Sequence, residues 1–271
     1  MATNEKWALI TGATSGIGYE LAKLFAKDHY NLVIVARGQD GLENTASELR
    51  NAYSIQVTTI AKDLFIAGNS FELYDEVKEK GIEIDVLVND AGQGQYGEFI
   101  DTDIYRELEI IQLNISSLVV LTKQFLKDMA ARGSGKILNL SSVASKTPGP
   151  FQSVYHGTKA FVQSFTEAVR NEVKDKGIVV TALLPGATNT DFFNKADMLD
   201  AKMIREGLAE GKLDDPAKVA KDGYDALMSN DDMVVSGFKN KVSVAMANVM
   251  PDAAVAAKVH KQQEPVTANE Q

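Results

Sequence analysis

The sequence predicts a doubly wound α/β fold, in which a parallel sheet of about seven strands is covered by helices on both faces. Two observations support this: short apolar runs recur along the chain, and longer segments with helical periodicity separate them. Strands and helices that alternate at this spacing imply right-handed crossovers and therefore parallel strands. The runs are rich in leucine and β-branched residues, as expected for strands buried on both faces. The predicted strands are Trp7–Ile10, Leu32–Ala36, Val57–Ala61, Val86–Asn89, Lys136–Leu140, Val179–Leu184 and Met233–Val235.

The segments between these runs predict the helices, and no linker rich in Gly, Pro or Ser divides the 271 residues. We therefore expect a single domain over residues 1–260. Residues 261–271 are polar and are expected to fray. The segment Phe238–His260 predicts a helix interrupted near Pro251. The other predicted helices are Gly18–Lys27, Leu42–Asn51, Ile104–Ala131, Ser153–Lys176 and Pro216–Ser229.

Composition and charge narrow the class of function. The net charge of −9 argues against nucleic-acid binding, which needs a basic surface. The absence of cysteine excludes disulfides, thiolate metal sites and cysteine nucleophiles, and the three histidines are too scattered to suggest a metal site. The first residues do not resemble a signal peptide, and no apolar stretch reaches about 18 residues. We expect a cytoplasmic protein without membrane contact.

The first candidate site is a glycine-rich turn directly after the first predicted strand. Glycines there permit a tight turn, and they let backbone N–H groups at the start of the next helix approach a pyrophosphate. The spacing G-x-x-x-G-x-G lacks the lysine of phosphate-binding NTPase loops, which argues against ATP or GTP hydrolysis. Taken alone, the turn could also be purely structural. Its residues are Gly12, Thr14, Ser15, Gly16, Ile17 and Gly18.

Arg37 follows the second predicted strand, where dinucleotide-binding folds often place an acidic residue on the ribose 2′-hydroxyl. The nearest acid is Asp40. A guanidinium can pair with a 2′-phosphate and stack on adenine, so the sequence favours NADP(H) as the cofactor and leaves NAD(H) open. A solvated surface arginine is the alternative interpretation.

Tyr155 and Lys159 are four residues apart on a predicted helix, so the phenol and the ammonium share a face. A positive charge can bring the tyrosine pKa toward neutrality, which suits acid-base catalysis. Ser142 follows a predicted strand, at the sheet edge where ligands bind in such folds. Asn114 lies within a long apolar helix, where a buried amide needs partners. Each of these residues alone could be structural, and His156 is expected to be non-catalytic.

From Lys6 to Gly186, the chain resembles the short-chain dehydrogenases/reductases in the order and spacing of its motifs. Its length is that of the single-domain branch of this family. The resemblance implies a Rossmann-type sheet and hydride transfer between a nicotinamide and a carbonyl or alcohol. It is carried by the glycine turn, Asn89-Asp90-Ala91-Gly92, Asn114, Ser142, Tyr155, Lys159 and Pro185-Gly186.

The resemblance also implies the role of each residue. Tyr155 would be the general acid or base, and Lys159 would lower its pKa and bind the nicotinamide ribose. Ser142 would polarise the substrate carbonyl, and Asn114 would hold a water that relays protons from Lys159. The other expected cofactor contacts are Asp63 and Leu64 at the adenine, Asn89, Ala91 and Gly92 along the channel, and Pro185, Gly186 and Thr190 at the nicotinamide.

Two positions depart from the family pattern. The family usually has a second asparagine where this chain has Asp90, and we expect this residue to affect stability or the local network rather than to abolish activity. Ser15 stands where many NADP-binding relatives have a second basic residue, so the preference for NADP(H) depends mainly on Arg37.

Residues 188–213 are the expected substrate lid. Their aromatic and methionine side chains suggest an apolar carbonyl or alcohol as substrate, although the same residues could simply close the core. The resemblance implies a homodimer or homotetramer paired through the helices that contain Asn114 and Tyr155. A catalytically silent sensor or scaffold is the main alternative, although the set of four catalytic candidates is complete. A nucleotide-sugar epimerase or dehydratase usually has a longer C-terminal part.

Overall fold

A computed structural model describes residues 5–247 and 249–266. Within these residues, seven parallel strands form one sheet in the order β3-β2-β1-β4-β5-β6-β7, which confirms the predicted fold class. The strands are β1 (Trp7–Thr11), β2 (Asn31–Ala36), β3 (Val57–Ala61), β4 (Val86–Asn89), β5 (Gly135–Leu140), β6 (Ile178–Leu184) and β7 (Met233–Val235).

Helices cover both faces of this sheet. They are α1 (Gly16–Lys27), α2 (Gln39–Tyr53), α3 (Asn69–Glu79), α4 (Ile104–Ile111), α5 (Leu118–Arg132), α6 (Ser153–Val173), α7 (Phe192–Lys195), α8 (Lys202–Ala209), α9 (Pro216–Met228), α10 (Phe238–Ala247) and α11 (Asp252–Gln263). Helix α9 begins with Pro216, and the side chain of Asp215 accepts a hydrogen bond from the Ala217 N–H, so a proline and an acidic cap together fix its start.

The alternation of side chains along each strand divides the core into two layers. Ile10 packs on one face of the sheet with Phe25 of α1, whereas its neighbour Leu9 packs on the other with Phe125 of α5. Because both layers are buried, the central strands are mostly apolar, as the sequence pattern indicated.

One predicted helix is interrupted. The segment Ile104–Ala131 was expected to be a single helix, but residues Gln112–Ser117 between α4 and α5 are π-helical. A π segment adds one residue to a turn and is often found at functional sites. Asn114 lies inside it and is buried.

The C-terminal part is more ordered than the sequence suggests. Helix α11 continues through Gln263, which is buried, and Pro265 pairs with Ala201. Fraying from Lys261 is therefore wrong for residues 261–266, because these contacts hold the segment against the lid, while residues 267–271 lie outside the described part. Among the described helices, none has both the length and the apolar character needed to span a membrane.

Candidate active site

A cleft of about 720 Å³ opens at the carboxyl ends of the strands. It lies where the strand order reverses, since β1 has β2 on one side and β4 on the other. We call the part lined by the glycine turn, Arg37, Asp63 and Leu64 the cofactor half. The substrate half is the part lined by Gln93, Gln152, Phe192, Phe193, Met198, Met203, Val244, Val259 and Gln263.

The glycine turn has the geometry of a phosphate cradle. Gly12 and Gly16 have φ angles of 74° and 58°, in the left-handed region that favours glycine. Ser15 precedes α1, and its side chain does not cap the helix, so the first N–H groups face the cleft. A methyl group on Gly12 would lie 2.8 Å from Asp90 Oδ2. A dinucleotide pyrophosphate therefore fits this turn, where larger residues would not.

Arg37 lies exposed at the end of β2 and lines the cofactor half. Its guanidinium carbon is 5.2 Å from the ring centroid of Phe65, and that of Arg106 is 4.8 Å from the same ring. The aromatic ring thus supports Arg37 by a cation–π contact. Lys62 also lines the cleft, but its Nζ lies 3.3 Å from Glu72. Arg37 is therefore the better placed cation for a phosphate group, and Phe65 supports it from a position that the sequence did not reveal.

Tyr155, Ser142 and Lys159 all line the cleft, so the structure brings three of the four catalytic candidates together. Lys159 Nζ donates to the Leu140 carbonyl at 2.9 Å and lies 5.8 Å from the centre of the Tyr155 ring. Ser142 stands at the end of β5, and its hydroxyl accepts a hydrogen bond from the Ala144 N–H. The strand end and the first turns of α6 together place these groups.

Burial is the largest influence on the pKa values of Tyr155 and Lys159. Desolvation raises the pKa of Tyr155 to about 12, and a hydrogen bond with Ser142 opposes it. Desolvation lowers the pKa of Lys159 to about 8, against the attraction of Asp90. The expected lowering of the tyrosine pKa by Lys159 is not seen in this structure, because burial outweighs other effects. Tyr155 therefore keeps its proton at neutral pH and can donate it.

Asn114, the fourth candidate, lies behind the cleft rather than on its surface. Its Nδ2 donates to the Gln93 carbonyl and to Thr158 Oγ1, both at 2.9 Å, and its Oδ1 accepts from the Gln93 N–H at 2.9 Å. A methyl group on Gly92 would lie 3.4 Å from Asn114 Oδ1 and 3.2 Å from Lys159 Nζ. The amide is thus close to the ammonium and fixes the loop after β4.

Asp90, whose position the sequence did not define, lies in the cleft. It lines the cleft, accepts a hydrogen bond from the Gly18 N–H and faces Lys159. Desolvation raises its pKa to about 7, although Lys159 and the hydrogen bond act in the other direction. This carboxyl therefore changes charge near neutral pH beside the glycine turn.

Two predicted cofactor contacts do not reach the cleft. The amide of Asn89 points into the sheet, where Nδ2 donates to Asn139 at 2.8 Å and to Thr122 at 3.1 Å. Gly18 packs against Asp90 rather than lining the cleft. Both residues support the sheet and turn instead. The predicted contacts that do line the cleft are Gly12, Thr14, Ser15, Gly16, Ile17, Arg37, Asp63, Leu64, Ala91, Gly92, Tyr155, Lys159, Pro185, Gly186 and Thr190.

The lid residues both line the substrate half and close part of the core, the two roles that the sequence left open. Phe192, Phe193, Met198 and Met203 line the substrate half, and the same side chains pack into a small separate core. Leu199 is instead 45% exposed and outside the cleft. Many of the side chains that line the substrate half are thus apolar. Its glutamines were missed by sequence reasoning because they are far apart in the chain.

Comparisons with known proteins identify the family of the chain. The family model for short chain dehydrogenase matches residues 6–199. The chain belongs to the short-chain dehydrogenases. A very-long-chain 3-oxoacyl-CoA reductase of Bos taurus is 36% identical over 186 residues, and one of Danio rerio is 35% identical over 187 residues. The matches cover 66% of this short-chain dehydrogenase but only 58% and 57% of those relatives.

Solved structures of other short-chain dehydrogenases share the whole fold. One from Sphingobium yanoikuyae, in complex with NADPH, has a TM-score of 0.79 at 25% identity and covers 92% of this chain and 97% of its own. The bulky-bulky ketone specific alcohol dehydrogenase of Comamonas testosteroni has a TM-score of 0.75 at 26% identity, with coverages of 94% and 99%. The likeness to solved structures therefore extends beyond the region matched by the family model.

Proposed function

We propose that this protein is an NADP(H)-dependent oxidoreductase that interconverts a carbonyl group and an alcohol. The observation that carries the proposal is that Tyr155, Ser142 and Lys159 line the same cleft as the glycine turn and Arg37. The names of the matched reductases and the NADPH complex of a similar structure support it. The apolar lining of the substrate half favours a substrate with a bulky apolar part.

When bound, the reduced nicotinamide supplies the hydride that forms the new C–H bond and is itself oxidised. Ser142 donates a hydrogen bond to the carbonyl oxygen and polarises the C=O bond. The π electron pair of that bond then takes the proton of Tyr155, which gives an alcohol and a phenolate. The raised pKa of Tyr155 means that the proton is present at neutral pH and leaves only as charge develops on the substrate oxygen.

Lys159 completes the cycle in this proposal. Its ammonium, with a pKa lowered to about 8, stabilises the phenolate and binds the ribose. Asn114 fixes the loop at Gly92 beside this ammonium, so it keeps the proton path from Lys159 in place.

Titration of the purified protein with NADPH and NADH, followed by fluorescence, tests the cofactor assignment. We expect NADPH to bind at least about tenfold more tightly than NADH, and Arg37→Ala to remove that difference, because a bidentate charged hydrogen bond is lost. Lys62→Ala is the matched control, since that lysine is already paired with Glu72. Equal affinities in the wild type would overturn the NADP(H) preference, and binding of neither would overturn the oxidoreductase assignment.

Pairing of two chains through α4 and α6 is part of the same proposal. The apolar side chains that would meet there are exposed in the single chain: Ile104 by 53%, Tyr105 by 74%, Leu108 by 52% and Phe161 by 41%. Exposed apolar side chains grouped on neighbouring helices are typical of subunit interfaces. Cytoplasmic location stays a prediction from the sequence.

A further inference from the structure

Helix α10 carries apolar side chains on the face that it turns to solvent. Phe238, Val242 and Met246 are exposed by 80%, 43% and 49%, and Val249, which follows the helix, is exposed by 82%. Residues four apart lie above one another on a helix, so the three helical side chains form one row. We call these four residues the α10 stripe. Apolar side chains grouped on a surface commonly mark a contact with a partner or a membrane.

The opposite face of α10 is turned toward the protein. Asn240 and Val244 line the cleft, and Asn240 Nδ2 donates to Asp214 Oδ2 at 2.7 Å and to the Ser236 carbonyl at 2.8 Å. At about 100° per residue, these two positions lie about half a turn around the helix from the stripe. The contacts of Asn240 therefore determine which side of α10 faces outward, and a single helix separates the stripe from the cleft.

The charge beside the stripe is positive. Lys239 and Lys241 are exposed and flank the stripe, one on each side of the helix. Within the described residues neither lysine forms an ion pair, and positions 238–251 contain no acidic residue. The whole chain has a net charge of −9, but charges farther away than about 8 Å are largely screened at physiological salt. The two lysines therefore set the local charge, which suits an anionic partner.

We propose that the α10 stripe docks this protein on the surface of an anionic lipid bilayer. A helix that lies in the membrane interface places apolar side chains among the acyl chains and lysines at its sides. The lysine stems can follow the apolar surface while their ammonium groups reach the lipid phosphates. A second copy of this chain fits the stripe less well, because a two-fold contact would bring the lysines of both copies together.

This proposal differs from the expectation that the protein makes no membrane contact. The sequence does not show which face of α10 is exposed, whereas the structure separates the stripe from the residues that line the cleft. The docked helix would lie between the bilayer and the cleft. The proposal does not depend on the reaction that the cleft performs.

Sedimentation of the protein with lipid vesicles tests the docking surface. We expect vesicles of phosphatidylcholine with about 30% phosphatidylserine to bind the wild type at least about tenfold more strongly than phosphatidylcholine alone, because each lysine near an anionic surface adds about fivefold. The double variant Lys239→Gln/Lys241→Gln should remove most of this difference. Phe238→Asp should lower the affinity for the anionic vesicles at least about tenfold, since a carboxylate replaces an apolar side chain.

Phe71→Asp is the matched control. Phe71 is 50% exposed and, like Phe238, lies in the first turn of a helix, where an aspartate is favourable. This variant should bind the anionic vesicles within about twofold of the wild type. Melting temperatures show that each variant is folded.

Three vesicle results would overturn the proposal: no binding to the anionic vesicles, equal binding to both kinds, or an unchanged affinity in Phe238→Asp. A dimer that forms without lipid and is lost in Phe238→Asp would also overturn it, because a second copy would then cover the stripe. NADPH titration of the same samples tests the proposed function separately, since Phe238, Lys239 and Lys241 do not line the cleft.

Discussion

The two halves of the cleft are built in different ways. The cofactor half is formed by turns directly after β1, β2 and β3, and Arg37 gives it a charged group. Asp90, which follows β4, and Lys159 of α6 line the cleft beside it. The substrate half combines segments from the loop after β4, the residue before α6, the lid, α10 and α11, and its polar lining includes the buried glutamines Gln93, Gln152 and Gln263. Charged groups therefore distinguish the first half, whereas apolar packing distinguishes the second.

If the two halves function independently, Tyr155→Phe should slow turnover strongly and leave cofactor binding largely intact. We expect kcat/KM to fall by about 10²- to 10⁴-fold, because the proton donor is lost while the ring volume is kept. NADPH affinity should fall by less than about tenfold, since one hydroxyl is removed from a large interface. Steady-state kinetics and cofactor titration on one preparation measure both quantities. Turnover within tenfold of the wild type would show that another group supplies the proton.

Gly18→Ala should distort the glycine turn of the cofactor half, although Gly18 itself does not line the cleft. The added methyl group would meet Asp90 and lie 2.6 Å from the Gly12 carbonyl oxygen, so the glycine turn has to shift. We expect a loss of about 1–3 kcal/mol in the free energy of unfolding, measured in urea.

Gly157→Ala is the matched control for this change. That glycine lies inside α6 with no atom within 4 Å of a new methyl group, and alanine there should add about 0.5–1 kcal/mol of stability. Equal stability of the two variants would mean that the turn is not tightly packed.

Asp90→Asn removes a carboxyl that titrates beside the glycine turn and should change how stability depends on pH. The folded protein holds the proton of Asp90 up to a pKa of about 7, far above the usual 3.8, so wild-type stability declines as pH rises between those values. Asparagine keeps an acceptor for Gly18 and cannot ionise. The gain in unfolding free energy of the variant over the wild type should therefore grow by at least about 1 kcal/mol from pH 4.5 to 7.5.

Urea unfolding of the wild type and of Asp90→Asn from pH 4.5 to 7.5 tests the raised pKa of Asp90. All other titrating groups are present in both proteins and contribute nearly equally to the stability of each. A gain that does not vary with pH would contradict it. The stability difference between Gln152→Leu and the wild type should show no such pH dependence, since Nε2 of Gln152 makes no hydrogen bond to a titrating group within the described residues.

The same contrast explains what the sequence could predict. The strands, the glycine turn, Arg37 and the Tyr155–Lys159 pair are local patterns, and parallel strand ends bring them to one edge whatever the side-chain details. Gln152 and Gln263 carry no local signal, because their place in the cleft depends on which segments meet at the lid. The burial that raises the pKa of Tyr155 also carries no local signal, since it depends on the full packing of the cleft.

The π-helical turn at Gln112–Ser117 has a consequence for how the surface can change. One residue corresponds to about 100° of helix rotation, so deleting a residue there would restore a regular helix and swing α4 around relative to α5. The exposed apolar side chains Ile104, Tyr105 and Leu108 would then point in another direction with no change in composition. A single-codon insertion or deletion at this turn is therefore a route by which such a chain could exchange one association geometry for another.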